Sequence, residues 1–292
     1  VKTKEFVVCS PPYDLNSGGS IVLHYLCYLL NRLGETAYMF FNDKIWVRKW
    51  RYFEKTLFRN DFKNKLYQGN FENAIVVYPE RIRGNPYGAK NVVRFLLHKP
   101  GFHTRGKICF GKDDLVVGWG KECSGSGYNI TDENNIKIIY NMDDVYYQTN
   151  FNERTKTCYM IRKANKPHSP RKHFDAHPND AICVDRKSHQ EIAKIFNECD
   201  RFICYDPYTH YSTFATKCGC TSIVIPDEGV SKEDWKPNVK DTYGIAYGLN
   251  DIGYAKETKD KFLEYQKEIE QNNIDAVRKF VKLCENYLLN NQ

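Results

Sequence analysis

No run in this chain approaches the roughly 18 consecutive apolar residues that a membrane-spanning helix needs, and the opening VKTKEFVVCSPP does not read as a signal peptide. No C-x-x-C pair occurs, and Cys218 and Cys220 have no matching pair elsewhere, which argues against a structural zinc site. D-x-D is also missing. Asp113–Asp114 and Asp143–Asp144 are adjacent acids, not the spaced pair that grips a diphosphate-bound divalent cation. There is no G-x-G-x-x-G fingerprint, only the pair Gly18–Gly19, so dinucleotide chemistry loses its usual signature. No short-period repeat or low-complexity segment appears, and no RNP-like, zinc-finger or helix-turn-helix pattern accompanies the net charge of +7. That charge is spread along the chain and reads as a diffuse field suited to a small anion, not to nucleic acid.

The residues that are present describe a globular protein of 292 residues, 41% hydrophobic and 27% charged. This length accommodates two α/β domains of about 140 residues each. Eleven cysteines, an odd number lying mostly in apolar runs, suit buried thiols in a reducing compartment. Cytoplasmic localisation follows as the expectation. The oligomeric state is left open.

Apolar runs and helical stripes alternate along both halves. Residues 6–10 read as a buried strand, followed by a Gly-bearing loop, a helix capped by Ser20 and running to Leu33, and a second strand at 37–41. This is a βαβ unit with a right-handed crossover. Further strands are expected at 74–78, 92–97, 115–117 and 137–139, with a helix over the aromatic and basic stretch 45–66. The pattern dissolves into polar residues from 141 to 156, which sets a boundary between domains 1–150 and 151–292. The second half alternates again, with strands at 158–162 and 181–184 and a helix over 188–199. Strands at 202–204 and 222–225 follow, then a helical tail over 258–289 broken near 271–274 and free to return to the first domain. The fold class is α/β, two doubly wound domains with ligands at the carboxyl ends of the strands.

The segment RFICYDPYTHYSTFATKCGCTSIVIP, 201–226, is the most informative. It reads as strand, helix and strand, with Pro207 in the helix's first turn and Gly219 at its exit. Tyr208, Thr209, Tyr211, Ser212 and Thr213 crowd hydroxyls into the helix start, where unpaired N–H groups favour an anion. Arg162, Lys163 and Lys166 lie at the carboxyl end of the strand at 158–162 and face the same sheet edge, so together they could neutralise a diphosphate. On the first domain, Gly18 and Gly19 leave room at a helix start, while Asp14 and His24 stand close enough to deprotonate a hydroxyl. Asp14 reads equally as a turn cap, and His24 reads better as an ordinary helix residue. Glu80 follows a strand and serves either as base or sugar ligand, or as a partner for Arg81 or Arg83. His98 and His103 flank another strand end. His168, His173 and His177 with Asp175 suggest a metal, but Pro170 and Pro178 break the helix that would present them.

The stretches SGGSIVLHYLCYLLNRLGETAY, AIVVYPERIRGNPYGAKNVVRFLL and YDPYTHYSTFATKCGCTSIVIPDEGVSKEDW together resemble the GT-B class of nucleotide-sugar-dependent glycosyltransferases. The wording is particularly similar to small transferases of bacterial surface polysaccharides and of large algal viruses. The resemblance implies two Rossmann-like domains facing each other across a cleft, the donor nucleotide on the second and a glycan or glycoprotein acceptor on the first. It implies transfer of a hexose or pentose from a nucleoside diphosphate, UDP foremost, without metal, because Arg/Lys and a helix start take the diphosphate. One departure stands out. Many retaining members carry two glutamates eight positions apart, where this chain has Asp206 and Phe214. The grip on ribose or donor sugar then falls to Asp206, with Glu228 as the other candidate. Asp14 is the first candidate base and Glu80 the second, with Gly18, Gly19 and His98 on the acceptor side. The alternatives are an NAD-dependent oxidoreductase or epimerase of sugar nucleotides, and a non-catalytic nucleotide-sugar-binding module.

Overall fold

The computed structural model describes residues 5–41, 62–165 and 173–290. The chain separates into two compact units, residues 1–140 with 269–292 and residues 141–268.

Five parallel strands build the first unit: β1 (Phe6–Cys9), β2 (Ala37–Phe40), β3 (Ile75–Pro79), β4 (Asn91–Leu96) and β5 (Leu115–Gly118). Their order is β2-β1-β3-β4-β5. Side chains alternate across the sheet, as pleating requires. Phe6 and Val8 pack with Leu23, Leu26 and Leu30 of α1 (Gly18–Arg32) and with Val277 and Phe280 of the C-terminal helix (Lys259–Asn290). Val7 and Cys9 pack with Val76, Tyr78 and Val92 on the other face. Burial on both faces explains why these strands read as unbroken apolar runs and not as alternation.

Local chemistry moves some boundaries. The cap of α1 is Ser17, whose hydroxyl accepts from Ser20 N at 3.4 Å, so Gly18 and Gly19 open the helix and do not lie in a loop. Ser20 is inside the helix, and its Oγ donates to Pro12 O at 2.9 Å and accepts from Asp14 N at 3.1 Å. No strand forms at 137–139. Ile136 N does reach Gly118 O at 2.7 Å, but Ile139 gives both of its backbone groups to the amide of Asn273, at 2.8 Å each. That same Asn273 lies in the stretch read as a break in the tail, yet the helix Lys259–Asn290 is continuous. The polar residues are there to bond a neighbour, not to stop the helix. The helix expected over 45–66 falls largely on residues outside those described.

The second unit repeats the plan with β6 (Lys156–Met160), β7 (Ile182–Cys183), β8 (Cys199–Cys204), β9 (Thr221–Val224) and β10 (Ile245–Tyr247), all parallel, in the order β10-β9-β8-β6-β7. Its helices are α2 (His189–Glu198), α3 (Tyr211–Lys217), α4 (Lys232–Trp235) and α5 (Ile252–Glu257). Ser188 and Glu191 form a reciprocal capping box on α2. Arg154 donates to Phe196 O at 3.3 Å, to Cys218 O at 3.1 Å and to Gly219 O, so one guanidinium serves the carboxyl ends of both α2 and α3. Counted in chain order, each sheet has strands 2-1-3-4-5, with the order reversing at β1/β3 and at β6/β8.

In the first unit one buried cation holds three groups. Arg94 is fully buried, donates to Asp114 Oδ2 at 2.6 Å, Ile82 O at 3.0 Å and Gly84 O at 2.6 Å, and lies between the rings of Tyr78 and Phe110. Arg94→Leu leaves Asp114 with the Gly111 N–H but no cation and takes a donor from two carbonyls, and the expected cost is about 3 kcal/mol, read from urea denaturation. A change below about 1 kcal/mol would show the network to be dispensable.

Candidate functional site

In parallel α/β sheets, loops at the carboxyl ends of two strands flanking a reversal leave in opposite directions and open a ligand site. In the second unit that place is the end of β6 and β8. Tyr205 N donates to Met160 O at 2.9 Å, which sets the two strand ends side by side. Asp185, just beyond β7, accepts from Ile161 N at 3.0 Å and Arg162 N at 3.1 Å. Those bonds hold Arg162 at φ +40°, a left-handed conformation that costs a non-glycine residue energy. The Arg162 side chain is exposed; its guanidinium reaches Thr209 Oγ1 at 3.4 Å and lies 5.0 Å from the ring centre of Tyr211. Tyr211 in turn stacks on His189, with centroids 5.6 Å apart and planes within 14°. His189 Nδ1 is 2.6 Å from the Tyr146 hydroxyl, and Tyr146 stacks on Phe214 at 4.1 Å. Burial pushes the Tyr211 hydroxyl up, and Arg162 partly opposes that.

Asp206 follows β8 and is buried, 5% exposed, with no hydrogen-bond partner for Oδ2 among the described residues. The Ser212 hydroxyl is also buried with no hydrogen bond among the described residues. Pro207 is not in a helix. Asp206 O accepts from Thr209 N at 3.3 Å, closing a turn with Pro207 at its second position, and α3 begins only at Tyr211. Tyr208 therefore points into solvent, 67% exposed, and is no part of a helix start. Thr213 is buried within α3, and Glu228 is exposed in the turn after β9. The side chain of Lys163 and the whole of Lys166 lie outside the described residues. Arg162 and Tyr211 are thus in contact at the reversal, with Asp206 just past the end of β8 and Ser212 next to Tyr211 in α3, while Tyr208, Thr213 and Glu228 lie in the loops and helix after β8 and β9.

The first unit gathers a second group at the end of β3 and β4. Glu80 is buried, and its Oε2 accepts from Leu97 N at 3.1 Å. Burial pushes this carboxyl above the ordinary range, with the Leu97 N–H pulling the other way. A Cβ on Gly19 would meet Leu97 Cδ1 at 3.4 Å, so the start of α1 abuts the same strand end. Asp14 Oδ1 accepts from Asn16 N at 2.9 Å, as a turn-capping acid does. His24 is fully buried against Phe41 and Tyr13, bonded to Pro11 O at 2.9 Å, and pushed down to about 4 by burial. His98 stacks on Phe102 at 3.9 Å, with His103 edge-on to both. His177 stacks on Tyr159 at 3.7 Å and bonds the Tyr205 hydroxyl at 2.7 Å. Among the described residues no three His, Cys, Asp or Glu converge as metal ligands.

No family model matches the chain, and no curated protein matches it. Two solved structures are similar along nearly its whole length. The MurG crystal structure from Acinetobacter baumannii is 10% identical, with 94% of each chain covered and a TM-score of 0.35. A sucrose-phosphate synthase from Thermosynechococcus elongatus is 10% identical, with 97% of each chain covered and a TM-score of 0.38. The two parallel sheets of this chain, not these distant likenesses, define its fold.

Sequence reasoning missed Asp185, His189 and Tyr146. Asp185 was findable, because ICVD repeats the pattern of VYPE and FICYD, an apolar run ending in an acid. His189 and Tyr146 carry no such signal. A groove of about 520 Å³ lined by Tyr147, Gln190, Lys194 and Glu198 lies where α2 runs into β8, at the opposite end of the strands.

The raised Glu80 carboxyl makes stability depend on pH in a definite sense. Below the ordinary Glu value of 4.5 both folded and unfolded chains hold the proton. As pH rises, the unfolded chain releases it first, so stability falls from there up to the folded-state value. Glu80→Gln keeps the acceptor for Leu97 N and removes this penalty. The variant should match the wild type in urea midpoint near pH 4 and exceed it at neutral pH. An offset that is constant with pH would contradict the assignment.

Proposed function

We propose that the chain is a glycosyltransferase that moves a sugar from a nucleoside diphosphate sugar, UDP-linked first, to a glycan hydroxyl. The second unit takes the donor and the first takes the acceptor. One observation carries the reading: at the β6/β8 reversal an exposed, pre-positioned Arg162 follows one strand end, and the other is followed by Asp206, whose buried Oδ2 has no hydrogen-bond partner among the described residues. A buried carboxyl oxygen without a hydrogen bond is costly, and a hydroxyl of a ribose or donor sugar would supply the missing donor. The guanidinium forks suit diphosphate oxygens, with Lys163 and Lys166 adding charge and the Ser212 hydroxyl one more donor.

In the reaction an acceptor hydroxyl oxygen bonds to the anomeric carbon as the bond from that carbon to the diphosphate oxygen breaks. The electron pair leaves with the diphosphate, where Arg162 stabilises the growing charge. The hydroxyl proton passes to a carboxylate. Glu80 suits this better than Asp14, because its burial raises proton affinity while Asp14 is engaged in its turn. Arg162 takes the diphosphate charge, so this scheme uses no divalent metal.

The test is release of nucleoside diphosphate from UDP-, GDP- and other nucleotide-linked sugars by the full chain, with and without EDTA. One donor should turn over, unaffected by EDTA. Arg162→Ala should lower kcat/KM by about 10²–10³, and Glu80→Gln should lower kcat by about 10²–10⁴ with donor KM nearly unchanged. Tight nucleotide binding without turnover would leave a binding module instead, and reduction of NAD would sink the transferase reading.

A further inference from the structure

From Arg81 to Lys112 the chain carries eight Lys or Arg and no Asp or Glu, in a protein whose totals are 43 and 36. Arg94 is buried in its own network. Lys99, Arg105 and Lys107 are exposed, and no ion pair engages them among the described residues. They belong to the loop after β4, residues 98–107, which also presents Phe102 at 67% exposure with one ring face laid on His98. The loop is held in shape from within. Gly106 N donates to Gly101 O at 2.9 Å, and a Cβ on Gly101 would meet Gly106 Cα at 3.3 Å, so its ends close on each other. The platform is joined to the first unit's buried carboxyl through one backbone group, because Leu97 N, one residue before His98, donates to Glu80.

We infer that residues 98–107 bind the acceptor, and that the acceptor is an acidic saccharide bearing carboxylate or phosphate groups. This rests on the glycosyl-transfer reading. The exposed phenyl face takes the apolar face of a sugar ring, which binding sites commonly offer as aromatic surface. Lys99, Arg105 and Lys107 take the anionic substituents, and the neighbouring Glu80 is placed for a hydroxyl. A single ring offers too little apolar surface to anchor a bilayer, and the loop has none of the extended basic stripe that tracks a nucleic-acid backbone.

Calorimetric titration of the full chain with hexagalacturonate and with neutral maltohexaose tests this, at about 50 mM and about 300 mM salt. Hexagalacturonate should bind at least about tenfold more tightly than maltohexaose, with the difference shrinking in high salt. Phe102→Ala, and Lys99→Ala with Arg105→Ala and Lys107→Ala, should each weaken it about tenfold; Phe102→Tyr and Arg162→Ala should leave it intact. The inference is overturned by equal affinity for the two sugars, by no binding, by loop variants without effect, or by binding of single-stranded DNA or phosphatidylglycerol vesicles in place of hexagalacturonate. Thermal shift with UDP, GDP and the other nucleoside diphosphates on the same samples separates the failures. Stabilisation by one of them without acidic-sugar binding defeats only this inference, and stabilisation by none defeats the transferase reading beneath it.

Discussion

The reversal of strand order at the middle of each sheet is the constraint on which the rest of the structure depends. Right-handed crossovers that travel in opposite directions must lie on opposite faces, so the loops leaving β1 and β3, and those leaving β6 and β8, part from each other. Between them each sheet edge leaves room for a ligand. Arg162, Asp206 and Tyr211 stand at one such place, and Glu80 with the start of α1 at the other. The chemistry is concentrated where topology leaves room for it.

Holding these groups costs stability, and the second unit shows how the cost is met. Arg162 is in a left-handed conformation, and Asp206 keeps a buried oxygen with no hydrogen-bond partner among the described residues. Asp185 offsets the first by bonding two successive N–H groups, and the Tyr211–His189–Tyr146–Phe214 stack gives the guanidinium a fixed floor. Arg154 ties the ends of α2 and α3 from the other side of the unit. Rigid surroundings around a few strained or unsatisfied groups are the usual arrangement at a working site.

Both parallel sheets are legible in the sequence because burial on two faces writes each strand as a short apolar run. Residues 6–10, 74–78 and 202–204 fall on β1, β3 and β8 for that reason. Polar residues that work at a distance were misread. Asn273 reads as a helix breaker until Ile139 is seen bonded to it, and Ile139 reads as strand until its partner proves to be a side chain. Pro207 reads as part of the helix's first turn, yet the turn closed by Asp206 and Thr209 claims it first. Strand-end acids were visible as apolar runs closing on Glu80 and Asp206. The imidazole–phenol stack beneath Arg162 was not, because its members are scattered from Tyr146 to Phe214 and meet only in the fold.

The central claim is that the β6/β8 reversal of the second unit binds a nucleoside diphosphate. Amide hydrogen exchange of the full chain, with and without UDP, tests it most directly. The account predicts added protection at residues 161–162 and 205–213, abolished by Arg162→Ala. Protection confined to other segments, or unchanged by that substitution, would contradict it.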